Sequence, residues 1–171
     1  MKKLFIVLIV VLVIFITGCD IGREELKYNG DEGSITFNVK KDKKYKLSTD
    51  KNDLRTSREQ AILIGDNFKI GIEFDDNFDY FFKGDWDKLV KARKDNKDFK
   101  KVTYSDIKGI EYFYGGFMRY NVILNIKDSK KYYLVLTVYG DKDDEKSAKK
   151  AINSEEVKDI LNHISSISSK K

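Results

Sequence analysis

Hydrophobic and polar positions fall into two regimes along these 171 residues. Residues 4–16 are an unbroken apolar run with no polar side chain, preceded by Lys2 and Lys3. Beyond it the apolar positions become periodic. Ile35, Phe37 and Val39 alternate with polar neighbours, the period of two expected of a half-buried strand. A polar turn over residues 41–44 leads to a short strand at Tyr45 and Leu47. Residues 61–64 and the alternating Phe68, Ile70, Ile72 and Phe74 flank Gly65-Asp66-Asn67, which has the chemistry of a hairpin turn. The period then changes: Trp86, Leu89, Val90 and Arg93 share one helical face, with Asp85 placed to cap it and Lys88, Lys91 and Lys94 outside. Strands resume at Val102 and Tyr104 and at Ile110, Tyr112 and Tyr114, and Gly115-Gly116 offers a tight turn through positive φ. Residues 117–126 form the clearest strand, with Met118, Tyr120, Val122, Leu124 and Ile126 on one face. Residues 132–139 are apolar on both faces, as a central strand should be.

Residues 141–150 are charged and predict a solvated loop, with at most a short helical turn. A helix is expected over residues 154–168, capped by Asn153 or Ser154, with Glu155 and Glu156 at the positive end of its dipole. Its apolar stripe is Val157, Ile160, Leu161, Ile164 and Ile167. These elements predict an α+β fold in which an antiparallel sheet packs against a mid-chain helix and a C-terminal helix. Their order over residues 34–168 resembles the PsbP-like sandwich: paired strands, a helix after Gly84-Asp85-Trp86, a strand meander, and a helix after Tyr133-Leu134-Val135-Leu136-Thr137-Val138. That resemblance implies a binding or assembly module and carries over no functional residue.

The N-terminal run rises to only about 20 Å as a helix, short of the roughly 30 Å of a bilayer core, so it reads as the apolar region of an export signal. It ends in Ile16-Thr17-Gly18-Cys19, which resembles the bacterial lipobox. The resemblance implies cleavage between Gly18 and Cys19, a diacylglyceryl group on the Cys19 sulfur, and attachment to the extracytoplasmic face of the cell membrane. Cys19 is the only cysteine, and acylation would explain an unpaired thiol in an exported chain. Two acyl chains make such an attachment persistent where one would be reversible. The expected organisation is a signal peptide at residues 1–18, a lipidated flexible tether at 19–33 with a span of roughly 20 Å, and a single domain at 34–171.

Composition narrows the function. Lys2 and Lys3 account for two of the net +5, and the remaining +3 is spread among both signs rather than gathered on one face, which excludes a nucleic-acid partner. No catalytic constellation is visible. His163 is the only histidine, Cys19 is committed to lipid, and no G-x-S-x-G elbow occurs. The carboxylates Glu73, Asp75, Asp76 and Asp79 imitate the start of a calcium loop, but Tyr80 stands where its glycine belongs and Trp86 where its closing glutamate belongs. The cluster Asp141, Asp143, Asp144 and Glu145 likewise lacks a closing ligand. No metal site and no cofactor are expected. The lysine runs at residues 40–46 and 97–101 read as solvated surface, with anionic headgroups as the alternative. Aromatic residues crowd one meander, and Tyr112, Tyr114 and Phe117 beside Arg119 are the candidate surface for a protein partner. The sequence therefore points to a non-enzymatic, membrane-anchored module for protein binding, assembly or immunity. A carrier with a small-ligand or lipid pocket between sheet and helices is the alternative.

Overall fold

The computed structural model describes residues 22–170. The expected export signal, the expected cleavage site and Cys19 lie outside these described residues. The fold is α+β, as expected, but it carries two antiparallel sheets. The larger has seven strands: β3 (Lys46–Ser48), β4 (Ala61–Ile64), β5 (Phe68–Asp75), β6 (Lys100–Tyr104), β7 (Ile107–Tyr114), β8 (Arg119–Leu124) and β9 (Tyr133–Gly140). Their spatial order is β3-β4-β5-β9-β8-β7-β6. β5 and β9 meet at the centre after the chain has passed through α1 (Asn77–Phe82), α2 (Trp86–Arg93) and the β6–β7–β8 meander. Every residue of β9 except its last is buried, which is why its sequence shows no alternation.

The smaller sheet, β1 (Arg23–Asn29), β2 (Gly33–Lys40) and β10 (Ile164–Ser169), lies on one face of the larger together with α3 (Glu145–Asn153) and α4 (Glu155–Asn162). Ile35, Phe37 and Val39 of β2, Ala148 and Ile152 of α3, and Val157, Ile160 and Leu161 of α4 enclose Ile70, Ile72, Leu134, Leu136 and Val138 of the large sheet. A second, smaller cluster lies on the opposite face. There Phe78 of α1 and Leu89 of α2 cover Ile110, Ile123, Tyr133 and Val135, and Trp86 packs at the edge. The Asp85 carboxylate caps α2 by accepting from the N–H groups of Asp87 at 3.0 Å and Lys88 at 3.2 Å, as its position predicted.

Several expectations are corrected. Residues 20–33 are not all tether, because Arg23–Asn29 pairs with β2 in register from Arg23↔Lys40 to Asn29↔Ser34. As an edge strand it buries only Tyr28, so it shows no alternating apolar signal. It is held instead by Arg23, which donates to both carboxylate oxygens of Asp159 at 3.0 and 2.7 Å and to the Asn38 carbonyl at 2.9 Å. The helix expected over 154–168 ends at Asn162, and the chain continues as β10 against β2. A bulge at Ser165 explains the misreading. It places Ile164 opposite Phe37 and Ile167 opposite Ile35, so residues three apart share a face in a strand and mimic helical spacing.

The charged segment at 141–150 is largely α3. Asp144 caps it by accepting from Ser147 N–H at 2.6 Å, and the small Ala148 and Ala151 let it lie close to the sheet. Gly115–Phe117 forms a single 3-10 turn, and the left-handed residue after it is Met118 at φ 48°, not a glycine. The strand expected from residue 117 accordingly starts at Arg119. Among the described residues no helix is long and apolar enough to cross a membrane.

Candidate binding site

The face of the large sheet opposite the small sheet is only partly covered by α1 and α2. Along β5, Ile70, Ile72 and Phe74 enter the core, so the alternate positions Gly71, Glu73 and Asp75 face the other way. The same alternation presents Tyr133, Thr137 and Tyr139 from β9, Arg119 and Asn121 from β8, and Tyr112 and Tyr114 from β7. The segment before β4 crosses this face and brings Arg55, Thr56, Ser57 and Arg58 over it. All of the groups on this face except Gly71, Thr137 and Tyr139 join Arg93 and Asn96, at and just beyond the end of α2, in lining a cavity of about 590 Å³, within the size range of small-ligand sites.

Three buried hydrogen-bond systems give the wall its shape. Glu59 is almost fully enclosed, and its carboxylate accepts from the N–H groups of Arg55 at 2.7 Å and Thr56 at 3.4 Å and from the Tyr139 hydroxyl at 2.6 Å. Gly71 makes room for it, since a Cβ there would lie 2.2 Å from Glu59 Oε1. Asp75 accepts from the Tyr133 hydroxyl at 2.8 Å and from Asn77 N–H at 2.8 Å. Asn121 Nδ2 donates to the Tyr112 hydroxyl at 3.2 Å, and Thr137 donates to Asn121 Oδ1 at 3.5 Å. Burial and the neighbouring carboxylates push the Tyr133 and Tyr139 hydroxyls well above the ordinary tyrosine range, so both remain protonated donors.

Glu73 differs from these. Its side chain is 13% exposed, and its nearest cation is Arg58 Nη1 at 3.9 Å. Burial, followed by the negative charge of Asp75, pushes its carboxyl up to about 7, with Arg58 and Arg119 opposing the rise and Glu59 adding to it.

At the mouth, Arg119 Nη1 donates to the Tyr139 hydroxyl at 2.9 Å while its guanidinium lies 4.7 Å from the Phe117 ring centre and 5.5 Å from that of Tyr114. Tyr114 and Phe117 stack on each other at 5.7 Å and 16°. Both rings are exposed, at 40% and 58%, as is Met118 at 43%. The four residues read from the sequence as a partner surface therefore do converge on one cavity. Tyr112, however, is buried in its floor and is not a surface contact. Arg55, Arg58, Glu59, Glu73 and Arg93 belong to the site and were not assigned to it. The available signals were Gly71 inside a strand, marking a close approach, and Arg93 at an apolar helical position.

The other candidate clusters have local structural roles. Asp141 pairs with the Ser147 hydroxyl, Asp144 caps α3, and Asp143 pairs with Arg55. His163 ends α4 with its Nδ1 2.7 Å from the Asp159 carbonyl, away from the cavity. Among the described residues no three His, Cys, Asp or Glu side chains are grouped to hold a metal ion. No family model, curated protein or solved structure matches this chain.

Proposed function

We propose that this chain is a surface lipoprotein held by an acylated Cys19 on the outer face of the cell membrane, and that its domain is a non-enzymatic module that takes a protein partner at the open face of the large sheet. The observation that carries the reading is the hairpin tip: Tyr114 and Phe117 stand exposed against the Arg119 guanidinium at the mouth of the cavity, and Met118, next in the chain, is exposed as well. Aromatic and arginine side chains around a recess are the usual anchors of protein interfaces. The start of β1 at Arg23 tightens the tether, because four residues from Cys19 span at most about 14 Å.

A photocrosslinking residue at Phe117, in the full chain expressed in its own cells, should capture one defined membrane or secreted protein. Tyr114→Ala together with Arg119→Ala should reduce that capture at least about tenfold. Undiminished capture would place the interface elsewhere, and no specific product at Phe117 would refute the reading. For the anchor, a fatty-acid probe should label the wild type and not Cys19→Ala; label retained in that variant would refute lipidation at Cys19.

The cavity favours a second reading, a carrier of small ligands. The space between the large sheet and α3 and α4 is filled with apolar side chains, so any bound ligand would sit on the opposite face, against the end of α2. Native mass spectrometry of protein released directly from membranes should then show a bound mass that is lost on unfolding.

A further inference from the structure

Hydrogen-bond donors and acceptors around the cavity do not balance. Glu59 and Asp75 have partners on the protein for their carboxylates. The arginines are not matched in the same way. Arg93 and Arg119 each hold a buried Nε that has no hydrogen-bond partner. In Arg119 the other edge of the guanidinium is already engaged, with Nη1 donating to Tyr139. Four arginines line the cavity against the two carboxylates Glu73 and Asp75, and Arg55 is drawn outward to Asp143. What Arg93 and Arg119 lack is an acceptor at Nε, and the free Nε edge of a guanidinium is the edge that pairs with a planar or tetrahedral oxyanion through two parallel hydrogen bonds.

We propose that the cavity is an oxyanion site in which Arg93 and Arg119 hold a carboxylate or phosphate group, while the stacked rings of Tyr114 and Phe117 flank the organic part attached to it. The inference rests on the binding-module reading and names the chemistry that the partner or ligand must bring. Glu73 modulates the site. It faces Asp75 on its own strand, Arg58 and Glu59 from the segment before β4, and Arg119 from β8. Its protonation removes a negative charge from the cavity, so binding of a carboxylate, whose own charge does not change there, strengthens as pH falls through the neutral range.

The test is nuclear magnetic resonance of the full-length chain in detergent micelles with ¹⁵N-labelled arginine, reading the Nε–H signals of Arg93 and Arg119. Inorganic phosphate and benzoate are titrated separately, with sodium chloride at matched ionic strength as the control. At least one of the two should shift both signals saturably, with a dissociation constant near or below about 1 mM. A response to phosphate alone assigns a phosphoryl ligand, and a response to benzoate assigns a carboxylate. Arg93→Gln and Arg119→Gln should each weaken binding about tenfold or more, and Arg119→Lys, which keeps the charge without the fork, should also weaken it. Signals that neither anion moves, or binding that survives both glutamine variants, would overturn the proposal. Saturable anion binding together with failed crosslinking at Phe117 would remove the protein-partner reading and leave the oxyanion site standing.

Discussion

Glu73 gives the sharpest quantitative consequence of the cavity. Its carboxyl is displaced upward from 4.5 to about 7, chiefly by burial and then by Asp75, with partial relief from Arg58 and Arg119. A carboxyl raised in the folded state binds its proton more tightly there than in the unfolded chain. Between about pH 4.5 and 7 the native state therefore holds more protons, and stability falls as pH rises through that window. Below the window the group is neutral in both states and costs nothing; above it the charge is carried in both states and the full penalty is felt. A displacement of this size corresponds to about 3 kcal/mol at about 1.4 kcal/mol per pH unit.

Glu73→Gln keeps the shape and removes the charge. The lowered carboxyls Asp53, Asp85, Asp98, Asp141 and Asp159 lose their stabilising contributions only at acid pH, below this window, and they are common to both proteins. The difference between variant and wild type therefore isolates Glu73. Urea unfolding, followed by the fluorescence of Trp86, should show near-equal stability at about pH 4.5 and a variant more stable by up to about 3 kcal/mol at about pH 8. A difference that stays within about 0.5 kcal/mol across the interval, or that grows toward acid pH, would refute the claim that an ill-compensated charge sits in this cavity.

Other perturbations test neighbouring parts of the same reasoning. Gly71→Ala should destabilise by about 1–3 kcal/mol, because the new Cβ would displace the Glu59 carboxylate from its three donors; unchanged thermal unfolding would show that the carboxylate is free to move. Arg23→Ala should cost about 1–3 kcal/mol and release β1, read as faster amide exchange at Lys27 and Asn29 but not in β9. On the lipid-anchor reading, a fluorophore at Lys43→Cys should be quenched by lipids carrying a headgroup quencher and one at Phe117→Cys should not. Equal quenching of the two would contradict the orientation argued below.

What could be read in the sequence follows from how much of each element's environment is one-sided. β2, β5 and β8 have one face in the main core, and their alternation marks them. α2 could be read from its cap and its periodic face. β1 could not, because an edge strand fixed by the Arg23–Asp159 pair and one buried tyrosine leaves no periodic trace. β10 was misread because its bulge gives a strand the i, i+3 spacing of a helix. The site was half legible. Tyr112, Tyr114, Phe117 and Arg119 are close in sequence, so their density was visible. Arg58, Glu73 and Arg93 come from three separated segments, the loop before β4, β5 and α2, and only the folded arrangement of these segments around the β4-β5-β9-β8 part of the sheet brings them to one cavity.

The two faces of the seven-stranded sheet divide the work of the domain. One face is covered by the small sheet, α3 and α4, and its apolar side chains supply most of the core. The layer that includes β1 is also where the chain arrives from Cys19. Lys40, Lys41, Lys43 and Lys44 are exposed at that end, and Lys41 N–H donates to the Gly22 carbonyl at 2.8 Å. The opposite face keeps its buried polar groups and its four arginines. Burial and Asp75 leave the Glu73 charge poorly compensated there, while the main apolar core lies on the other face of the sheet, so the fold can tolerate an incompletely matched cavity on that side. On the lipid-anchor reading, a tether that enters at β1 leaves the cavity on the face of the large sheet opposite the layer nearest the anchor. In that orientation the proposed module would have its cavity open to a partner arriving from outside.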